Sequence, residues 1–187
     1  MFFALSCAFG CCQESTSIFN FLNLPTSSHA TALGGRNISL VDDDASLAFL
    51  NPALMSNVDD RSISFNFMNY MSGSNAGSLN YIQQHKERGN WGVGAQFVSY
   101  GSIREADELD NDLGTAHALD LNLNGGYSYM LSNSWTGGVY GKFLYSNYAG
   151  YSSVGLAVDL GVNYYNDRKD FSFSAVASNL GGQVKAL

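Results

Sequence analysis

The sequence predicts an all-β protein: a transmembrane antiparallel β-barrel, of which about seven strands lie in this chain, behind an irregular N-terminal segment. Three observations carry that expectation. From Arg61 onward, segments of about ten residues alternate apolar and polar side chains, with no helical stretch between them. The polar members are small and uncharged or carry single charges, and tyrosine and tryptophan collect near the segment ends. The chain is low in charge (13 %) and holds 20 glycines, 11 tyrosines and 12 phenylalanines, yet its mean hydropathy is only −0.07. A barrel accommodates that mild value because only alternate residues face lipid.

The elements follow in order. "MFFALSCAFGCCQE" is apolar up to Cys12 and polar from Gln13, which reads as the apolar core of a secretory signal peptide over residues 1–12, without the usual basic start. Gly10 and Cys12 supply small residues for cleavage before Gln13. Lipid attachment at Cys11 is a rival reading, and a buried N-terminal strand a third. Cys7, Cys11 and Cys12 all fall here, so the exported chain would hold no disulfide, thiolate nucleophile or cysteine metal site.

Residues 13–60 contain Pro25, Gly34, Gly35 and Pro52 and show no sustained period, as expected of a compact irregular piece. "DDDASLAFLNPAL" predicts one short helix, capped by an aspartate and closing near Pro52. The run Asp42, Asp43 and Asp44 reads as a cap or turn, with a cation site as the alternative.

The strands start with "SISFNFMNY" (62–70), which sets Ile63, Phe65 and Phe67 against Ser64 and Asn66. "GSLNYIQQH" (77–85) is weaker. "NWGVGAQFVSY" (90–100) sets Trp91, Val93, Ala95 and Phe97 against Gly92, Gly94 and Gln96. In the strand over roughly 116–130, Leu119, Leu121 and Leu123 oppose Asp120, Asn122 and Asn124. "SWTGGVYGKFLYSNY" (134–148) sets Trp135, Val139, Phe143 and Tyr145 against Thr136, Gly138 and Lys142. "SVGLAVDLGVNYY" (153–165) sets Val154 to Val162 against Gly155, Ala157, Asp159 and Asn163, and "FSFSAVAS" (171–178) completes seven. Threading the chain up and down puts Trp91, Tyr127, Tyr129, Trp135, Tyr164 and Tyr165 in one layer. Tyr70, Tyr100, Tyr145, Tyr148 and Tyr151 fall in the other. Both are expected as interfacial belts, where an apolar ring with a polar tip is at home.

The connections "KERG", "LSNS" and "NDRKD" are short, as periplasmic turns are. Those at the other end, including "GSIREADELDNDLGT" (101–115), read as longer outer loops. Glu105, Asp107, Glu108, Asp110 and Asp112 make this acidic loop the candidate outer contact. An odd strand number does not close a bacterial barrel, so residues 61–187 are expected to be the N-terminal part of a longer wall.

A net charge of −7 and an isoelectric point near 4.6 argue against nucleic acid as a partner. No apolar run reaches the ~18 residues of a spanning helix. His29, His85 and His117 are scattered, Asp120 and Asp159 sit on different strands, and neither a nucleophile elbow nor a phosphate loop occurs. No enzyme activity and no cofactor is therefore expected.

The N-terminal stretch "FNFLNLPTSSHATALGGRNISLVDDDASLAFLNPALMSN" resembles the PorQ family of the Bacteroidetes type IX secretion system. The residues that carry the likeness are Phe21-Leu22-Asn23-Leu24-Pro25, Ala32-Leu33-Gly34-Gly35, Asn37-Ile38-Ser39, the Asp42–Asp44 run and Asn51-Pro52-Ala53-Leu54. It continues through "MNYMSGSNAGSLNY", "WGVGAQFVSYGSI" and "YSSVGLAVDLGVNYY". "ALGG" and "NPAL" are shared with wider PorV-like and FadL-like barrels. The resemblance implies a 14-stranded outer-membrane barrel whose N-terminal segment plugs the lumen, with Asn23, Leu24, Pro25, Gly34, Gly35, Asn51, Pro52 and Ala53 as signature residues of that plug. It also implies partners, PorZ-, PorU- and PorV-like proteins of the surface attachment complex, with the chain holding the PorZ component at the membrane. The competing expectation is FadL-like transport of hydrophobic small molecules, which requires an apolar path between plug and wall. Ser64, Asn66, Gln96, Asp120, Asn122, Asn124 and Asn163 make the inward face too polar for that.

Overall fold

The computed structural model describes residues 19–70, 73–106, 112–148 and 151–186, with the backbone alone for 102–106, 112–117 and 185–186. The signal-peptide reading of residues 1–12 lies outside them. Seven strands form one antiparallel sheet in sequence order: β1 (Ser62–Asn69), β2 (Asn75–His85), β3 (Gly89–Ala106), β4 (Asp112–Met130), β5 (Trp135–Tyr148), β6 (Tyr151–Asn166) and β7 (Phe171–Ala186). The sheet is open, with β1 and β7 as its edges.

Alternating sequence and antiparallel register act together. Cross-strand partners share a face, so matched parity makes each face chemically uniform. Across one row Trp91 opposes Tyr127, which opposes Val139, which opposes Leu160. Across an adjacent row on the other face, Gln96 opposes Asn122 and Ser78 opposes Gln96. Four irregularities interrupt the ladder, two between β3 and β4 and two between β6 and β7. The register shifts between Ser99 and Ser102, where Gly101 takes φ +71°, and again between Val158 and Leu160, opposite Asn179 at φ +58°.

Residues 19–60 contain no strand. They run through a 3₁₀ turn (Asn20–Asn23), a short helix α1 (Ser28–Ala32) and two 3₁₀ turns (Ala45–Phe49 and Pro52–Asn57). The single helix expected over "DDDASLAFLNPAL" is thus two separate turns. Asp44 caps the first through Ser46 N at 2.8 Å. Asn51, preceding Pro52, is held extended (φ −151°, ψ 112°), which ends that turn. Pro52 then begins the next, the first-turn position where its missing N–H costs nothing.

This N-terminal segment lies against one face of the sheet. Phe19 and Phe21 pack with Ala76, Val98, Leu144 and Ala157 of the strands. Ala45, Ala48, Met55 and Val58 pack with Ile82 and Tyr140. Only the cluster of Ala30, Leu47 and Leu54 is internal to the segment. The segment has little core of its own and shares the sheet's.

The other face is open. Ile63 is 69 % and Phe65 67 % exposed, and Leu79, Leu123, Phe143, Leu156, Leu160 and Phe173 are exposed too. Seven strands about 4.8 Å apart and about 30 Å long give this face an area on the order of 1,000 Å². The largest apolar patch on a soluble monomer is ~300–600 Å².

The expected long loop over 101–115 is largely hairpin: Ser102 pairs with His117, Arg104 with Thr115 and Ala106 with Asp112. The other connections at that end are tight as well, since Asn69 pairs with Asn75 and Tyr148 with Tyr151. Loop length therefore separates the two ends only through the extended β3–β4 hairpin.

Candidate functional site

The buried interface between the N-terminal segment and the sheet holds most of the polar chemistry of the described residues. An irregular backbone leaves carbonyls without ladder partners, and burying them unpaired is costly. The sheet supplies donors. Ser78 Oγ donates to Thr26 O (2.8 Å), Asn80 Nδ2 to Ala45 O (2.9 Å) and Asn90 Nδ2 to Met55 O (2.6 Å). Gln96 Nε2 donates to Phe21 O (3.4 Å) and Ser172 Oγ to Ser39 O (2.8 Å). Ser56 Oγ reaches Thr136 Oγ1 at 3.3 Å and Tyr140 OH reaches Met55 Sδ at 3.1 Å.

Asn51, Pro52 and Ala53 form the tightest part. Asn51 is fully buried; its Oδ1 accepts from Ala53 N and its Nδ2 donates to Ile38 O, both at 2.9 Å. The turn sits on Gly138 of β5 and Gly161 of β6, which are cross-strand partners. A Cβ on Gly138 would overlap the Pro52 carbonyl and lie 2.5 Å from Ala53 N; one on Gly161 would meet Asn51 Oδ1 and lie 3.0 Å from Pro52 Cδ. Glycine at 138 lets the two backbones touch, and glycine at 161 makes room for the Asn51 amide and the Pro52 ring. Both glycines were legible as polar-face positions of their strands, and glycine inside a strand is itself a sign of close backbone approach. The segment they receive is more than 80 residues distant in sequence.

The other signature residues lie elsewhere. Asn23 Oδ1 accepts from Arg36 Nη1 at 3.2 Å. Asn23, Leu24, Pro25 and Gly35 border a cavity of about 140 Å³ against Gln96, Asn122 and Lys142 of the sheet. Gly34 and Gly35 have φ of +103° and +108° with open space around them, so their backbone conformation, not crowding, calls for glycine. Asp43 Oδ1 accepts from Asp59 N (2.9 Å), and His29 Nδ1 lies 3.4 Å from Asp42 Oδ2. The Asp42–Asp44 run acts through caps and turns; among the described residues no group of three or more His, Cys, Asp or Glu could hold a metal.

Asp120, Asp159 and Lys142 stand out in the sequence as inward-facing charges; the hydroxyl and amide groups that bond them do not. Asp159 is fully buried, 2.6 Å from Lys142 Nζ, and accepts from Asn179 N at 2.7 Å, while Lys142 donates to Asn179 Oδ1 at 3.0 Å. The three residues bind β5, β6 and the β7 bulge together. Asp120, also fully buried, accepts from Tyr100 OH and Tyr148 OH at 2.8 Å each and from Ser146 Oγ. Tyr70 packs on the cluster around Phe19 and Phe21. Tyr70, Tyr100 and Tyr148 therefore point into the covered face, and of the five tyrosines expected in the belt at this end Tyr145 alone has open-face parity; Tyr151, the cross-strand partner of Tyr148, is exposed at the start of β6.

The belt at the opposite end forms on the open face, without Tyr165, whose cross-strand partner Ser172 bonds Ser39 and Asn163 on the covered side. Tyr81 and Trp91 have ring centroids 5.6 Å apart, Trp135 and Tyr164 5.1 Å, and Tyr164 and Phe171 6.5 Å. Tyr127 and Tyr129 stand between the two tryptophan strands.

In the candidate contact loop, Glu105 and Asp112 lie on the paired arms of the β3–β4 hairpin. Asp107, Glu108 and Asp110 fall outside the described residues. No family model matches this chain, and no curated protein matches it either.

Proposed function

We propose that this chain is part of the wall of a bacterial outer-membrane β-barrel, with the N-terminal segment as its lumen plug. The observation that carries the reading is the inverted polarity of the sheet: Asp120, Asp159 and Lys142 are buried while a whole apolar face is open. On β6 the outward run from Val154 to Tyr164 covers about 33 Å along the strand, or ~25 Å at a tilt of about 40°. That is the height of a barrel's apolar band. The outward belt ends the band at the level where headgroups would lie.

A bilayer leaves no backbone edge unpaired, so the edges β1 and β7 require further strands. Seven antiparallel strands leave β1 and β7 running the same way. A second copy turned about the barrel axis would set them parallel, so antiparallel closure takes an odd number of additional strands.

The role proposed is that of a non-enzymatic component of a type IX secretion system. It anchors a PorZ-like partner in the surface attachment complex, beside PorU- and PorV-like proteins; the PorQ resemblance of "FNFLNLP", "ALGG" and "NPAL" supports it. FadL-like transport is the weaker reading, because the cavity between segment and sheet is small and bordered by Gln96, Asn122 and Lys142. A pull-down of the native protein from detergent-solubilised outer membranes, followed by mass spectrometry, tests the role. Co-isolation of PorZ- or PorU-like proteins is expected. A barrel that comes down alone with bound lipid or fatty acid would overturn it.

A further inference from the structure

We infer that the N-terminal segment is a permanent seal, built into the wall and never withdrawn to open a passage. The inference rests on the membrane-wall reading and adds what the segment does there. A withdrawable plug needs an interface that can part and re-form, usually between side chains that water can solvate on both sides. Here the contact is close-packed, with atoms of the segment set directly on strand glycines. The Pro52 carbonyl and Ala53 N lie on Gly138, and the Asn51 side-chain amide and Pro52 ring lie on its cross-strand partner Gly161. Gly155 gives the same close approach to Phe19, whose ring would lie 2.6 Å from a Cβ there, and Gly92 to Met55 Sδ at 2.9 Å. These four glycines span β3, β5 and β6, so the seat reaches across most of the sheet.

The hydrogen bonds point the same way. Carbonyls of Phe21, Thr26, Ser39, Ala45 and Met55 are taken up by side chains of β2, β3 and β7. They are spread along the whole segment, so no sub-piece can leave without stranding some of them. The regular elements of the segment are four to six residues long and most of its apolar side chains are buried against the strands. Undocked, it has no fold to keep. A gate that must refold at every cycle is not a gate.

The test uses the whole protein in the outer membrane of the cell that makes it. Ser56→Cys with Thr136→Cys replaces two hydroxyls 3.3 Å apart, one on the segment and one on β5. The expected result is a disulfide in nearly every molecule. Ion conductance in planar bilayers should then change less than about twofold when the bond is reduced. A tenfold rise on reduction, or bonding in only a small fraction of molecules, would overturn the inference. Gly138→Ala with Gly161→Ala is expected to unseat the turn and raise conductance at least tenfold. Gly182→Ala, where a Cβ has open space, is expected to leave it unchanged. Should the double alanine variant fail to insert, the disulfide result on the otherwise native chain decides alone. Absence of the protein from the outer membrane would overturn the membrane reading and this inference with it. A membrane-resident protein whose bond fails to form would overturn the inference only.

Discussion

The two faces of this sheet are built from one backbone and differ by a single step of parity. On the covered face, Asp120, Lys142, Asp159 and Asn163 are buried and bonded to groups on neighbouring strands. On the open face, Leu123, Phe143, Leu156 and Leu160 present only hydrocarbon. An antiparallel sheet with one face in water reverses this pattern, apolar inward and polar outward. Slipping any strand by one residue would exchange its two faces. Register here separates a covered polar face from an open apolar one, and the fixed points of the register, the Lys142–Asp159–Asn179 cluster and the Asp120 hydroxyl cage, all lie on the covered side.

Breaking that side should have the largest effect. Lys142→Met leaves the Asp159 carboxylate buried with one donor, and a stranded buried charge costs about 3–5 kcal/mol. Urea unfolding in phospholipid vesicles should show that loss, and Lys142→Met with Asp159→Leu should recover most of it. The open face comes next. Leu160→Arg puts a charge at mid-band, expected to cost about 2–4 kcal/mol in vesicles. The same variant in water-rich detergent should lose much less. Equal losses in both media would mean that lipid is not what Leu160 meets.

How much of this could be read beforehand depends on the range of the interaction. Which face each strand residue takes is a period-two property of the chain, and Ile63, Phe65, Leu123, Val139 and Leu160 all lie where alternation puts them. Level along a strand and parity are separate coordinates. Tyr100 and Tyr148 share a level with Tyr145 but the parity of Gln96 and Lys142, so they turn inward to Asp120 instead of joining a belt. The acidic 101–115 stretch reads as loop because it is charged, yet strand pairing carries past the Gly101 bulge into it. The seat of the Asn51–Ala53 turn was the least legible part. Its signature residues stand out in the sequence, but nothing local says which of the sheet's many glycines will meet them.

Tyr148→Phe probes the covered end of the comparison. It removes one of three hydroxyls on a buried carboxylate, at an expected cost of about 1.5–3 kcal/mol by the same urea measurement. If the Asp120 cage is instead open to water, the loss falls below about 0.5 kcal/mol.

The smallest effect belongs to the outward belt, and it sharpens the contrast between the two ends. The chain has 2 tryptophans, Trp91 and Trp135, and both stand in that belt on the open face. Trp135→Leu keeps apolar area but loses the indole N–H and the ring contact with Tyr164, about 1 kcal/mol. The same two residues report their own depth. Lipids brominated near the carbonyl should quench their fluorescence more than lipids brominated near the chain terminus, because indole favours the boundary where its ring is dry and its N–H is wet. Quenching by aqueous iodide with none from brominated lipid would place the open face in water, and the inverted sheet would then need a protein to cover it.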